Sequence, residues 1–355
     1  IIYLCPSCSA GNSADRPPRG VLKTLYDYDA VRSSSPSFEE LKAGNFISLL
    51  PLQSTESLPP LRIGNTPLYC ITSSNGRRLP FRLYLKDDSQ NPTWSFKDRA
   101  SALVSAYARE RGVQTIVTAS TGNAGSSLAG ICASQGQKAV ILVPEAAPPA
   151  KLTQIIMYGA TLIPVKGTYD NAFALSIKAT EHFGWYNRNT AFNPLTIEGK
   201  KSVSFELYEQ LGLRLPDTVF VPVGDGVILS GVYKGFEDLL RMKITDRMPV
   251  VVAVQSAGSD NLVRNIGKEK FEAIPSSTIA DSISVDLPGN FYMARRYIKE
   301  FSGKTMTVTD EEILQASKML AESTGLFAEP AAAAAYAGFM KYHRQGLLSD
   351  DSDNV

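Results

Sequence analysis

The sequence predicts an α/β protein with mostly parallel strands, and three observations carry that expectation. From about residue 115, short apolar runs alternate with helical segments. Two strand-to-helix connections, residues 120–125 and 224–226, are loops of small residues. The chain has 355 residues, enough for two domains with large cores. Parallel strands need crossover helices, and such folds bind ligands beyond the C-terminal ends of their strands.

The elements follow in order. Residues 33–60 are rich in Ser and Pro and are expected to wrap over a surface. Trp94-Ser95-Phe96-Lys97-Asp98-Arg99 opens a helix, with Ser95 read as N-cap and Asp98 as its capping-box partner. An apolar helical pattern continues through Ala102, Leu103, Ala106 and Tyr107. Residues 115–119 read as a buried strand, 125–133 as a helix, 138–143 as a strand, 148–158 as a helix and 161–165 as a strand. Helices are expected over 170–182 and 199–211, and strands over 218–223 and 249–255. Between those two strands, a glycine turn leads into a helix that ends near Leu240. Residues 331–335 are a small-residue run inside a tightly packed helix. The chain begins at Ile1 rather than Met, and residues 349–355 read as a loop, so further sequence is expected at either end. No internal repeat or coiled-coil pattern is present.

Composition narrows the function. With 36 basic and 35 acidic residues and no basic block, nucleic acid is not an expected partner. No apolar run approaches the ~20 residues of a membrane span, and no signal peptide is visible. Four cysteines are too few for a disulfide scaffold, so a cytoplasmic protein is expected. The two histidines, His182 and His343, exclude a histidine-rich metal site and read as surface residues.

The chemistry-bearing residues lie in three loops. Lys97 sits in the opening turn of its helix, where the dipole disfavours the ammonium form. A neutral amine is what a lysine needs to form a Schiff base, although the hexapeptide alone also fits a surface lysine. The loop Ser120-Thr121-Gly122-Asn123-Ala124-Gly125 offers amides and hydroxyls to an anion of carboxylate size, or is a plain strand-to-helix turn. In Val221-Pro222-Val223-Gly224-Asp225-Gly226-Val227-Ile228, a strand again runs through glycines into a helix, a natural phosphate cradle.

In this order the three loops resemble the fold type II pyridoxal-phosphate enzymes, the tryptophan synthase β superfamily, and within it the threonine synthases. Gly64-Asn65-Thr66-Pro67-Leu68, Tyr84-Leu85-Lys86, Glu198-Gly199-Lys200-Lys201 and residues 325–334 with Glu329-Pro330 agree with that family, so the resemblance covers most of residues 63–338. It implies two open, twisted, mostly parallel sheets flanked by helices. It divides the chain into a zinc-ribbon-like remnant (1–30), a large cofactor-binding domain (31–97 plus 199–355) and a smaller mobile domain (98–198). It implies a homodimer acting on a small amino-acid substrate. By similarity, Lys97 carries pyridoxal phosphate and moves protons, and Asn123 bonds the cofactor's ring oxygen. The amides of Gly224, Asp225, Gly226, Val227 and Ile228 bind its phosphate, while Ser120, Thr121 and Asn193 hold substrate. The implied reaction converts O-phospho-L-homoserine and water to L-threonine and phosphate.

The chain also departs from the family. Asn193-Pro194 is kept, but a serine position is Ala191, an arginine position is Thr196, and Asp225 stands where Asn is common. These changes weaken the expected hold on the substrate's phosphate, and Arg188, Lys200 or Lys201 are the candidates to compensate. The resemblance further implies a last strand whose hydroxyl faces the cofactor's ring nitrogen; the chain stops where that strand should begin, so no residue is assigned. Cys5-Pro6-Ser7-Cys8 has the spacing of half a zinc site, or is a metal-free remnant, since two cysteines cannot complete tetrahedral coordination. Cys70 and Cys132 read as buried apolar residues. Two other readings stand beside threonine synthase: a related lyase, such as a Ser/Thr ammonia-lyase or β-replacement enzyme, and a non-catalytic protein that keeps the fold for binding or regulation.

Overall fold

The strands of the computed structural model, which describes residues 3–74 and 77–355, form two sheets. They are β1 (Leu68–Ser74), β2 (Arg77–Lys86), β3 (Thr115–Ala119), β4 (Lys138–Pro144), β5 (Thr161–Val165), β6 (Tyr186–Asn187), β7 (Thr218–Pro222), β8 (Val250–Ser256), β9 (Lys304–Val308) and β10 (Asp353–Asn354). One sheet has the order β1-β2-β10-β7-β8-β9, and the other β5-β4-β3-β6. Among the described strands, β1 and β2 pair antiparallel and the remaining pairs are parallel.

Both sheets are covered on two faces, which is why their strands read as continuous apolar runs. In β3 and β4, Ile116, Ile141 and Val143 face a core shared with Leu103, Val104 and Leu128. Val117, Ala119, Val140 and Leu142 face the opposite side and pack with Ala172. In the larger sheet, Val219, Val221, Val251 and Ala253 meet Leu229 and Phe236. Phe220, Val252 and Val254 meet the alanine-rich helix Pro330–Arg344, whose Ala331, Ala333, Ala334 and Ala337 are buried as the small-residue run implied.

The structure corrects four local expectations. Residues 33–60 do not simply wrap: they hold the helix Phe38–Ala43, opened by a true capping box at Ser37 and Glu40, and put Phe38, Leu41 and Leu49 into the core. The helix expected over 199–211 is two, Leu195–Lys200 and Ser202–Gln210. Gly199 allows the first to lie against the Lys97 segment, because a Cβ there would stand 2.2 Å from the Arg99 carbonyl oxygen. Residues 349–355 are not all loop. β10 lies between β2 and β7, where Val355 N–H donates to Thr218 O (2.9 Å) and Val355 O accepts from Phe220 N–H (2.7 Å). Cys132 is buried as expected, but Cys70 is exposed, because β1 is an edge strand. His182 and His343 are both exposed.

Candidate active site

Lys97 is held by a buried ionic frame. Its helix runs Asp98–Glu110, with Lys97 itself at the N-cap. The expected capping box is absent: Ser95 Oγ accepts from Lys97 N–H (3.1 Å), and the Asp98 carboxylate turns back to Thr93 N–H (2.8 Å) and Thr93 Oγ1. Next to it, Arg99 donates to Asp88 and Glu206, and Lys86 pairs with the same Glu206 at 2.6 Å. Thr66 Oγ1 donates to Asp88 (2.6 Å), and the Lys86 ammonium donates to Thr66 O (2.8 Å). The segments around Thr66 and Lys86 thus anchor the turn that carries Lys97. Lys97 is half-buried, and its pKa is lowered chiefly by desolvation. Glu329 opposes that shift and Arg188 adds to it. The result favours the neutral, nucleophilic amine.

Both small-residue loops sit at the C-terminal ends of strands. After β3, Ser120 Oγ accepts from Gly122 N–H (3.2 Å), and the helix Asn123–Gln135 begins, its first amides without a partner inside the helix. Asn123 Nδ2 donates to Glu329 Oε1 (3.2 Å). Thr121, Gly122, Asn123, Glu329 and Pro330 line a cleft of about 360 Å³. A larger depression of about 810 Å³ lies at the other end of the sheet, against Asp217 and Asp353, and holds none of these residues.

After β7, Gly226 takes φ +85 and caps the helix Val227–Arg241. A Cβ on Gly226 would stand 3.0 Å from both Ala294 Cβ and Leu262 Cδ1, so the loop has room for backbone only. The first amides of that helix have no partner within it, and the macrodipole favours an anion there. Asp225 is kept from this cradle by its own bonds: its carboxylate accepts from Gly289 N–H (3.3 Å) and its carbonyl from Asn290 N–H (2.9 Å). Burial raises its pKa, which reduces the repulsion expected between a carboxylate and a phosphate.

The remaining candidates separate into those brought to the site and those not. Arg188 and Lys200 are fully buried beside Lys97, close enough for both neighbouring charges to act on Lys200. Lys201, next in sequence, points away into a pairing with Glu198 (2.6 Å) and Asp238 (2.7 Å). Asn193 is consumed by its own turn: its Nδ2 donates to Asn187 O (2.7 Å) and its Oδ1 accepts from Leu195 N–H (2.9 Å). Thr196 Oγ1 donates to Asn193 O (2.8 Å). Ala191 sits at φ +64 in a small apolar cluster with Ile197 and Val227. None of these three presents a free polar group to the cleft. Glu329 was not singled out as a site residue; its position as the N-cap before Pro330 is the signal that marks it. Cys5 lies 3.3 Å from Ser7 Oγ, Cys8 is exposed, and among the described residues no three His, Cys, Asp or Glu side chains gather as a metal requires, so zinc gains no support.

Comparison with known proteins agrees with this geometry. The family of pyridoxal-phosphate dependent enzymes matches residues 60–355. The chain is 34% identical to a threonine synthase of Methanocaldococcus jannaschii, over 99% of this chain and 86% of that protein. It is 35% identical to a threonine synthase of Halalkalibacterium halodurans, over 86% of this chain and 84% of that one. Among solved structures, threonine deaminase isoform 2 from Solanum lycopersicum shares the fold, with a TM-score of 0.71 at 22% identity, covering 89% of this chain and 88% of that one. A serine racemase from Dictyostelium discoideum gives a TM-score of 0.69 at 28% identity, covering 82% and 90%.

The residues fit the cofactor. A glycine cradle closed to any Cβ suits a phosphate monoester bound by amides, and a desolvated lysine suits an aldehyde. The chain belongs to the pyridoxal-phosphate-dependent enzymes, and within them to the threonine synthase family.

Proposed function

We propose that this protein converts O-phospho-L-homoserine and water to L-threonine and inorganic phosphate. The observation that carries the reading is a desolvated lysine of lowered pKa, in a chain whose two glycine loops each open a helix at a strand end and which a threonine synthase matches over 99% of its length. The amides of Gly224, Asp225, Gly226, Val227 and Ile228 hold the cofactor phosphate. Ser120, Thr121 and the first amides of the helix Asn123–Gln135 hold the substrate carboxylate, and Asn123 orients the cofactor ring. Asn193 shapes the loop beneath the substrate rather than touching it. Bound there, pyridoxal phosphate supplies the electron sink for bond breaking at Cα and Cβ. Lys97 Nζ takes the proton from Cα and serves the later transfers at the neighbouring carbons.

In this reading, residues 98–198 form a smaller mobile domain that closes on the large domain (31–97 plus 199–355) and excludes water until it is needed. The separate four-stranded sheet supports that division. Residues 1–30 are a metal-free remnant. The resemblance implies a homodimer and the low cysteine count a cytoplasmic enzyme, and no described helix is long and apolar enough to cross a membrane.

A related lyase acting on another amino acid is the second reading, favoured by Ala191 and Thr196, which offer the substrate phosphate nothing. A substrate panel decides between them. A kcat/KM for O-phospho-L-homoserine far above those for L-serine and L-threonine supports the proposal. Release of 2-oxobutyrate or pyruvate from the unphosphorylated amino acids, with no threonine from the phosphate ester, supports the second reading.

A further inference from the structure

Two buried cations that act on Lys97 or on each other have nitrogen atoms with no partner. Arg188 follows β6; its Nε donates to Ser101 Oγ (3.2 Å) and its Nη1 to Thr190 Oγ1 (2.7 Å), but its Nη2 bonds nothing. Lys200 ends the helix Leu195–Lys200, is 1% exposed, and its Nζ bonds nothing. Other buried cations of this chain are handled differently. Arg99 is embraced by Asp88 and Glu206, Lys201 by Glu198 and Asp238, and Lys234 by Asp238. A buried cation without a partner opposes folding in its charged form, so two of them beside Lys97 mark a place where an anion arrives.

In the reading above the anion is not the cofactor's phosphate, for which the amide cradle after β7 is suited. Nor is it the substrate carboxylate, for which the helix end after β3 is suited. Asp225 attracts Lys200, yet no contact within 4.0 Å joins them, and its carboxylate is held by Gly289. The burial of Lys200, together with the charges of Arg188 and Lys97, pushes its pKa well down, so a dianion beside it restores the ammonium form.

We propose that Arg188 and Lys200 together bind the phosphate monoester dianion of the substrate, replacing the polar groups that Ala191 and Thr196 fail to supply. This rests on the O-phospho-L-homoserine reading above. The remaining guanidinium N–H and one ammonium supply the two positive charges that a dianion needs. The pair also sets the leaving phosphate close to Lys97, the group that moves protons.

The test uses holoenzyme, in which the cofactor already fills the amide cradle, and inorganic phosphate as the probe. In Lys200→Gln the KM for O-phospho-L-homoserine and the inhibition constant for phosphate should each rise at least tenfold, with the visible cofactor band intact. Lys200→Arg should recover part of the loss. Phosphate should raise the Tm of wild type but not of Lys200→Gln. If Lys200→Gln loses its cofactor, Arg188→Lys, which keeps charge but loses the fork, is read the same way. Constants within twofold of wild type, with the band intact, would overturn the proposal. Wild type separates the two failures. Threonine made with Lys200-independent constants sinks only the assignment of this pair. Absence of threonine, with phosphate still protecting in a Lys200-dependent way, sinks the substrate reading and leaves the anion site standing.

Discussion

Asn123 Nδ2 donates to Glu329 Oε1 across 3.2 Å, joining residues 206 positions apart. The contact ties the helix that follows β3 of the small sheet to the N-cap of the helix that packs on the large one. Both residues line the cleft, and the Glu329 charge also acts on Lys97. Because Glu329 favours the ammonium form, Glu329→Gln should lower the Lys97 pKa further. Cofactor uptake needs the neutral amine, so the pH at which apoenzyme takes up pyridoxal phosphate at half its maximal rate should move down. An unchanged profile would mean that the charge of Glu329 does not reach Lys97.

Lys97→Ala should abolish the visible band of lysine-bound cofactor and cut kcat by at least about a thousandfold. Its Tm without cofactor should match or exceed that of wild type, because the lost group is a desolvated amine. Absorbance, turnover and thermal melting are measured on one preparation.

Gly226→Ala places a Cβ 3.0 Å from Ala294 Cβ and Leu262 Cδ1 at a φ of +85. The backbone strain should cost about 1–3 kcal/mol. Cofactor affinity should fall too, because the loop must shift to relieve the contact. Thermal melts with and without pyridoxal phosphate check both.

Arg99→Met should cost about 3–5 kcal/mol at neutral pH by stranding buried carboxylates. Burial pushes the carboxyls of Asp88 and Glu206 up, but the guanidinium more than offsets it and holds both below their ordinary values. A depressed folded pKa contributes stability that is present above the unfolded value, near 4, and is lost as pH falls through the folded one. The deficit of the variant should therefore be full near pH 7 and shrink below about pH 4, as read by denaturant titration at each pH.

Much of this was legible because it is local. β3 and β5 begin and end where their apolar runs do, and the two small-residue loops fall at strand ends. What misled was a local pattern overridden by a distant or stronger partner. Ser95 and Asp98 have capping-box spacing, but the buried Thr93 amide takes the carboxylate instead. Lys200 and Lys201 are adjacent and alike, and Glu198 with Asp238, the latter 37 residues from Lys201, decides which is paired and which is left without a partner. Asn193 belongs to a familiar motif, yet its amide is spent on its own turn. β10 shows no strand signal of its own, because two residues become a strand only between β2 and β7.

The most direct test incubates the full chain with pyridoxal phosphate and O-phospho-L-homoserine, and follows phosphate and threonine together. Equal molar release of both, lost in Lys97→Ala, is the predicted result. Phosphate without threonine, or neither product from a protein that holds its cofactor, would contradict the proposed reaction.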